Sequence, residues 1–253
     1  MRSLLLIALL AALPLAAQKE PMKSTPEGSQ KSAKTKTLEA GSKTLQNDDP
    51  VEQLNIYLVG FHPMKNNPDE QMEAHHFCRQ INEDFAQCAL FDGGSEQANL
   101  TGIEYIISEK LFESLPPNEK QYWHPHNYEI LSGELVAPGL PDAAEKELMR
   151  TKVNSYGKTW HVWRSGVWGQ PSDKLPFGDP HLAWSFNHDG EMKPGMRESR
   201  DSRMKVDSGK KRRDRADLAS MARPQEGVNA LKGKFPNAGG APAGVSDKSE
   251  ASK

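Results

Sequence analysis

Every aromatic residue of this 253-residue chain except Phe235, and both of its cysteines, falls between Val51 and Asp207. Aromatic side chains bury roughly 150–250 Å² each and dominate core energetics, so that stretch alone is equipped to build a core. A segment of about 157 residues buries roughly 70% of the surface of its unfolded chain, which predicts one domain at 51–207 that folds without staples. Residues 18–50 contain no aromatic residue, valine or isoleucine and are rich in Lys, Ser and Thr. Too little apolar area to offset the entropy of ordering predicts a disordered linker there. Residues 208–253 open with a basic run and continue rich in Gly, Pro, Ala and Ser, which predicts a disordered tail.

The first residues read as a targeting signal. Arg2, the apolar run Leu4 to Leu13 and the small residues Ala16 and Ala17 have the layout of a secretory signal peptide over 1–17. The run is shorter than the roughly 20 residues that span a bilayer. The expectation is therefore an exported, periplasmic or secreted protein with no transmembrane segment after signal removal.

The formal net charge of -2 gives no reason to expect a nucleic-acid partner. Charge is uneven, however, and the basic cluster from Arg197 to Arg215, including "KKRRDR", could attract an anionic membrane surface. A solvated basic tail is the plainer alternative.

Within the domain, "LNIYLVGF" (Leu54 to Phe61) reads as a buried first strand. "PDEQMEAHHFCRQINEDFAQ" reads as a long helix, with Asn67 as cap, Pro68 in its first turn and Ala74, Cys78, Ile81 and Phe85 at helical spacing. On such a helix Cys78 and Cys88 would lie about 15 Å apart, which predicts two buried thiols rather than a disulfide. "CALF" and "GIEYII" are strands, "SEKLFESL" a short helix capped by Ser108, and "NYEILSGELVA" a strand broken at Ser132 and Gly133. "PDAAEKELMRTKVNSYG" is a second long helix, and "KTWHVWR" and "HLAWSF" are the last strands. The sum is an α+β domain, a mainly antiparallel or mixed sheet packed against two long helices, with disordered N- and C-terminal extensions.

The chemistry-bearing residues are histidines. Pro125 holds His124 extended, and residues two apart in an extended chain share a face, so His124 and His126 can grip one ion. Neutral imidazole suits a divalent transition metal such as zinc, but a catalytic zinc takes three protein ligands. His75 or His161 is the candidate third ligand, with Glu73 or Glu129 as base or supporting carboxylate. No H-E-x-x-H, G-x-S-x-G or phosphate-cradling glycine loop is present.

"EAHHFC", "GIEYIISEKLF", "WHPHNYEILSGEL", "YGKTWHVW" and "LPFGDPHLAW" occur in this order, and together resemble the oil body-associated protein family, a domain of unknown function. The resemblance covers Ile56 to Asp207 and extends to the "FH" at Phe61 and His62. It implies a non-enzymatic domain that helps maintain lipid droplets, here in an exported bacterial version. It groups Glu73, His75, His76 and Cys78 in one block, His124, His126, Tyr128 and Glu129 in the next, and Tyr156, Gly157, Lys158 and His161 in a third. Lys65, Asn66 and Asn67 depart from the "AHD" that plant members often carry. Two functions follow as expectations: peripheral association with lipid or apolar surfaces through exposed aromatics such as Trp168 and Phe177, or a metal-binding protein or metal-dependent enzyme built on the His/Glu cluster.

Overall fold

A computed structural model describes residues 23–46 and 49–250 of the chain. The segment read as a signal peptide lies outside the described residues. Four long strands follow one another as antiparallel neighbours: β1 (Ile56–Met64), β2 (Asn67–Asn82), β3 (Phe85–Phe91) and β4 (Leu100–Ile107). They continue into β6 (Tyr156–His161), which pairs with the short β5 (His124–Pro125) and β7 (His181–Leu182).

The long helix expected over 68–87 is therefore a correction: those residues form β2 and the start of β3. Its Glu, Gln and Ala content favours helix locally, but pairing on both edges satisfies every backbone group in the middle of β2 and overrides that preference. Ala74 and Cys78 fit either period, since they are four apart, and only the strand places His76 with them on one face. The same change corrects the cysteines. Cys78 and Cys88 are direct partners across β2 and β3, with Cα atoms 4.0 Å apart, and form a disulfide. The distance that excluded a bridge belonged to a helix that is not there.

The sheet curls until its ends meet. Residues after His181 bond to β6 on one side, where the Ala183 amide donates to the Thr159 carbonyl. On the other side they meet the end of β1, where Trp184 donates to Pro63 and Lys65 donates to Leu182. Residues 181–184 thus join the end of β1 to β6, and that closure brings His62 against His161.

Helices among the described residues are short, the longest of 13 residues. α1 (Ala33–Leu45) buries no side chain, and α2 (Asp49–Glu52) leads into β1. α3 (Glu109–Glu113) is capped by Ser108 as the sequence predicts, and α4 (Pro117–Lys120) follows the Pro116–Pro117 stop. α5 (Asn127–Leu131) occupies the stretch expected to be a strand. Its five residues are all buried, so its aromatic and β-branched content reflects core packing rather than strand pairing. α6 (Asp142–Lys152) is the one helix of the expected pair that exists, and it ends at Lys152 rather than near Gly157.

The C-terminal segment was expected to be disordered, and here the structure differs. α7 (Met196–Met204), α8 (Ser208–Asp214) and a 3₁₀ turn (Ala216–Ser220) lead into turns that put Leu218, Val228, Leu231, Phe235 and Val245 in the main core. Most of the basic cluster is paired within the fold, while Arg213 stays largely exposed. Arg215 donates to the carbonyls of Ile130 and Leu135 and pairs with Glu145, and Arg200 donates to Glu134 and Ser208. Lys210, Lys211 and Arg212 meet Asp142, Glu145 and Asp189. Composition missed this because isolated aliphatic anchors in a Gly- and Pro-rich segment need a preformed surface to dock on.

Candidate metal centre

One acidic residue stands on the inner face of the curled sheet. Glu104 is the cross-strand partner of Cys88 on one side and Thr159 on the other, and it is buried. Its Oε1 lies 3.2 Å from His126 Nε2 and 3.7 Å from His124 Nε2, and these two imidazole nitrogens are 3.2 Å apart. Its Oε2 lies 2.8 Å from His76 Nε2 and 3.9 Å from His62 Nε2. His62 Nδ1 in turn meets His161 Nε2 at 3.0 Å. Five histidines thus surround one carboxylate, all of them buried.

Each arrives from a different element. His62 and His76 project inward from β1 and β2, and His161 from β6. His124 lies in β5 opposite Gly157, and His126 precedes α5, its Nδ1 2.8 Å from the Ser155 hydroxyl. Donors bound at about 2.0–2.2 Å to one ion lie roughly 3.0–3.5 Å apart, close to the separations among Glu104, His124 and His126. The 2.8 Å approach of His76 to Glu104 Oε2 is not aligned as a hydrogen bond, and Oε2 and His124 Nδ1 have no hydrogen-bond partner.

Electrostatics sharpen the picture. Burial holds the His62, His124 and His161 imidazoles neutral, with the last two lowered to about 3. Burial alone would push Glu104 up, but the neighbouring His76 and the hydrogen bond from His126 outweigh it and hold its carboxyl well below the usual range. Glu129, in contrast, is pushed well above that range, first by burial and then by the Glu104 charge.

Of the residues singled out from sequence, His124, His126 and His161 come together here. Glu129 faces the cluster from α5, with ligating atoms grouped with those of His62 and His124. His75 and Glu73 do not join it. Adjacent residues on a strand point to opposite faces, so His76 faces inward while His75 Nε2 bonds Glu73 Oε1 at 2.8 Å and its Nδ1 meets the Tyr57 hydroxyl. Arg203 completes that separate group. Glu104 escaped notice, although a lone carboxylate inside the apolar run "GIEYII" was a legible signal, because an unpaired buried charge is costly.

Gly157 keeps the centre open. A Cβ there would come 2.6 Å from His126 Nε2 and 2.7 Å from His124 Cε1, and closer still to Glu104 Oε1. Gly157→Ala is expected to displace these groups and cost about 1–3 kcal/mol, the usual range for overpacking. Denaturant midpoints of parent and variant check this, and equal midpoints would mean the interior is looser than described.

Fold and site together define a small α+β domain whose curled antiparallel sheet encloses a histidine–glutamate cluster. Among proteins compared by sequence, residues 48–219 match the family model described as Protein of unknown function (DUF1264). The chain is 38% identical over 178 residues to oil body-associated protein 2A of Arabidopsis thaliana, covering 70% of each chain. It is 35% identical over 197 residues to oil body-associated protein 1A of Zea mays, covering 78% of this chain and 80% of that one. The chain belongs to this family, that of the oil body-associated proteins. No solved structure matches it.

Proposed function

We propose that this chain holds a divalent transition metal such as zinc on Glu104, His76, His124 and His126, with His62 and His161 beside them. The supporting observation is one of charge. Glu104 is an ionised carboxylate in the interior, and among the described residues its ion-pair partners are all histidines. Burial keeps at least His62 and His124 of these neutral. Titratable imidazoles are its only countercharge among the described residues, and a divalent ion among these donors would supply a fixed one. Such an ion is a Lewis acid if a coordination position stays open. Elemental analysis of protein purified without a chelating tag is expected to find at least one equivalent of metal, lost in His124→Ala. A metal-free parent would end this reading.

A second reading rests on the names of the relatives and on one surface. Leu100, Ile103 and Val162 are exposed on the outer face of β4 and the end of β6, where with Trp160 and Pro180 they form an almost wholly apolar patch. This patch supports peripheral contact with a lipid surface. Of the aromatics first expected to serve, Phe177 is 64% exposed but Trp168 is buried. No helix among the described residues is long and apolar enough to cross a membrane. Because the basic run is mostly paired internally, flotation with triglyceride emulsion is expected to survive high salt and to be lost in Ile103→Asp. Failure of the parent chain to float would remove this function.

Export remains part of the proposal. The Cys78–Cys88 disulfide fits an oxidising compartment, and a mature chain beginning at Gln18 is the corresponding mass-spectrometric expectation.

A further inference from the structure

A pocket of about 470 Å³ lies beside the seam where residues 181–184 join β1 to β6, and it shares no residue with the histidine–glutamate cluster. Its volume is within the roughly 300–1,000 Å³ of small-molecule sites. Tyr122, after α4, and Trp160, on β6, form its aromatic side. Both are half-buried, with ring centroids 6.2 Å apart and planes inclined by 36°. Asn66, from the turn between β1 and β2, Gln121 and Asp179 form its polar side, and all three are exposed. The walls are tied to one another. The Lys65 amide donates to the Leu182 carbonyl at 2.8 Å and the Lys65 ammonium to the Gln121 carbonyl, so three chain segments are held in place before any ligand arrives.

We propose that this pocket binds a pyranose ring, stacked against Tyr122 and Trp160 and hydrogen-bonded through its hydroxyls to Asn66, Gln121 and Asp179. Neither the metal nor lipid contact is needed for it. The polar set selects an uncharged polyol, because amides and a carboxylate offer the planar donors and acceptors that neighbouring hydroxyls match. Asn66 and Asp179 have no side-chain partner among the described residues, and Gln121 spends an amide N–H on the Asn118 carbonyl while keeping Oε1. The slightly positive C–H face of a sugar ring suits the negative face of an aromatic one. Phosphate and other anions fit poorly. Lys65 already serves Gln121 and sits 3.7 Å over the Trp184 ring centroid, His181 lies 3.5 Å from Glu70, and the remaining charge is the Asp179 carboxylate. A quaternary ammonium is held by rings that enclose it, and centroids 6.2 Å apart leave no room between Tyr122 and Trp160.

Trp160 and Pro180 also border the apolar patch of Leu100, Ile103 and Val162, so pocket and patch are continuous. The ring can therefore belong to a free glycan or to the headgroup of a lipid, and a probe that carries an alkyl chain separates the two. The test titrates the full chain with the methyl glycosides of glucose, galactose, mannose and N-acetylglucosamine, with the octyl glycoside of the same sugars below micelle formation, and with adenosine and choline as controls, read by saturation-transfer NMR. At least one methyl glycoside is expected to bind with a Kd of about 1 mM, the scale that about a dozen heavy atoms reach. Asn66→Ala and Asp179→Ala are each expected to weaken it by about three- to tenfold with unchanged urea midpoints, and Trp160→Ala to abolish it. An octyl glycoside that gains about twofold per methylene, as a half-buried chain would, and loses that gain in Ile103→Asp assigns the lipid headgroup. Equal affinity of octyl and methyl forms assigns the free glycan. Silence of every glycoside, tighter binding of adenosine or choline, or binding that survives all three pocket substitutions would overturn the site.

Discussion

Glu104→Gln is expected to reduce metal affinity by more than about 100-fold, beyond the 10–100-fold typical of a lost supporting partner, while the metal-free variant is at least as stable as the metal-free parent. The two halves separate a metal ligand from a structural hub. Glutamine keeps the shape of the side chain but removes the anion. If Glu104 served only to accept hydrogen bonds from His126 and its neighbours, the change would cost about 1–3 kcal/mol, because buried donors would lose a charged acceptor. If instead the carboxylate awaits a cation, its removal relieves a buried charge in the metal-free chain and costs stability only when metal is present. Thermal unfolding with and without chelator, beside metal analysis, decides. A variant that binds metal normally would sink the ligand assignment.

Metal-free protein is expected to unfold steeply in acid, with a midpoint between about pH 3 and 4 and little loss above pH 4.5. His124 and His161 fall from 6.5 to about 3 on folding through burial, and His62 shifts the same way. Their neutral state stabilises the fold fully above pH 6.5, and that contribution is lost as pH falls, because the unfolded chain takes up protons the folded one refuses. Each such group costs about 1.4 kcal/mol per pH unit. Glu129 and Glu134 act in the opposite sense. Burial raises both, Glu134 to about 7, so they favour the fold increasingly as pH drops toward 4.5 and offset much of the histidine loss. Below 4.5 that offset is complete and Glu104, whose folded value is depressed, adds its own loss to that of the three histidines. Four groups then remove about 5 kcal/mol per pH unit, against a total stability of about 5–15 kcal/mol. Circular dichroism across pH in chelator measures this. Stability that stays level down to the range where only carboxylates titrate would show that the imidazoles titrate freely in the fold, and an even decline from pH 6.5 would show that Glu129 and Glu134 do not offset them.

Some of the architecture was legible residue by residue. The strands at "LNIYLVGF", "CALF" and "GIEYII", the Ser108 cap and the helix opened by Asp142 follow from local pattern, and so does the pairing of His124 with His126. The long strand β2 was not legible, because Ala74 and Cys78 satisfy helical and extended spacing alike. That one ambiguity carried the errors at His75, at the disulfide and in the helix count. The packed C-terminal segment escaped for a different reason: its anchors are single residues such as Leu231 and Phe235, spaced without period.

Read by itself, the sequence determined which segment carries most of the core and which imidazoles lie close along the chain, because apolar content and short spacing are local properties. Only the tertiary structure decided that His76 rather than His75 faces the interior, that Cys78 and Cys88 meet, and that Glu104 stands among five histidines. Those outcomes depend on strand pairing between residues far apart in sequence, and on closure of the sheet through residues 181–184, where backbone groups on both edges find partners that no local pattern names.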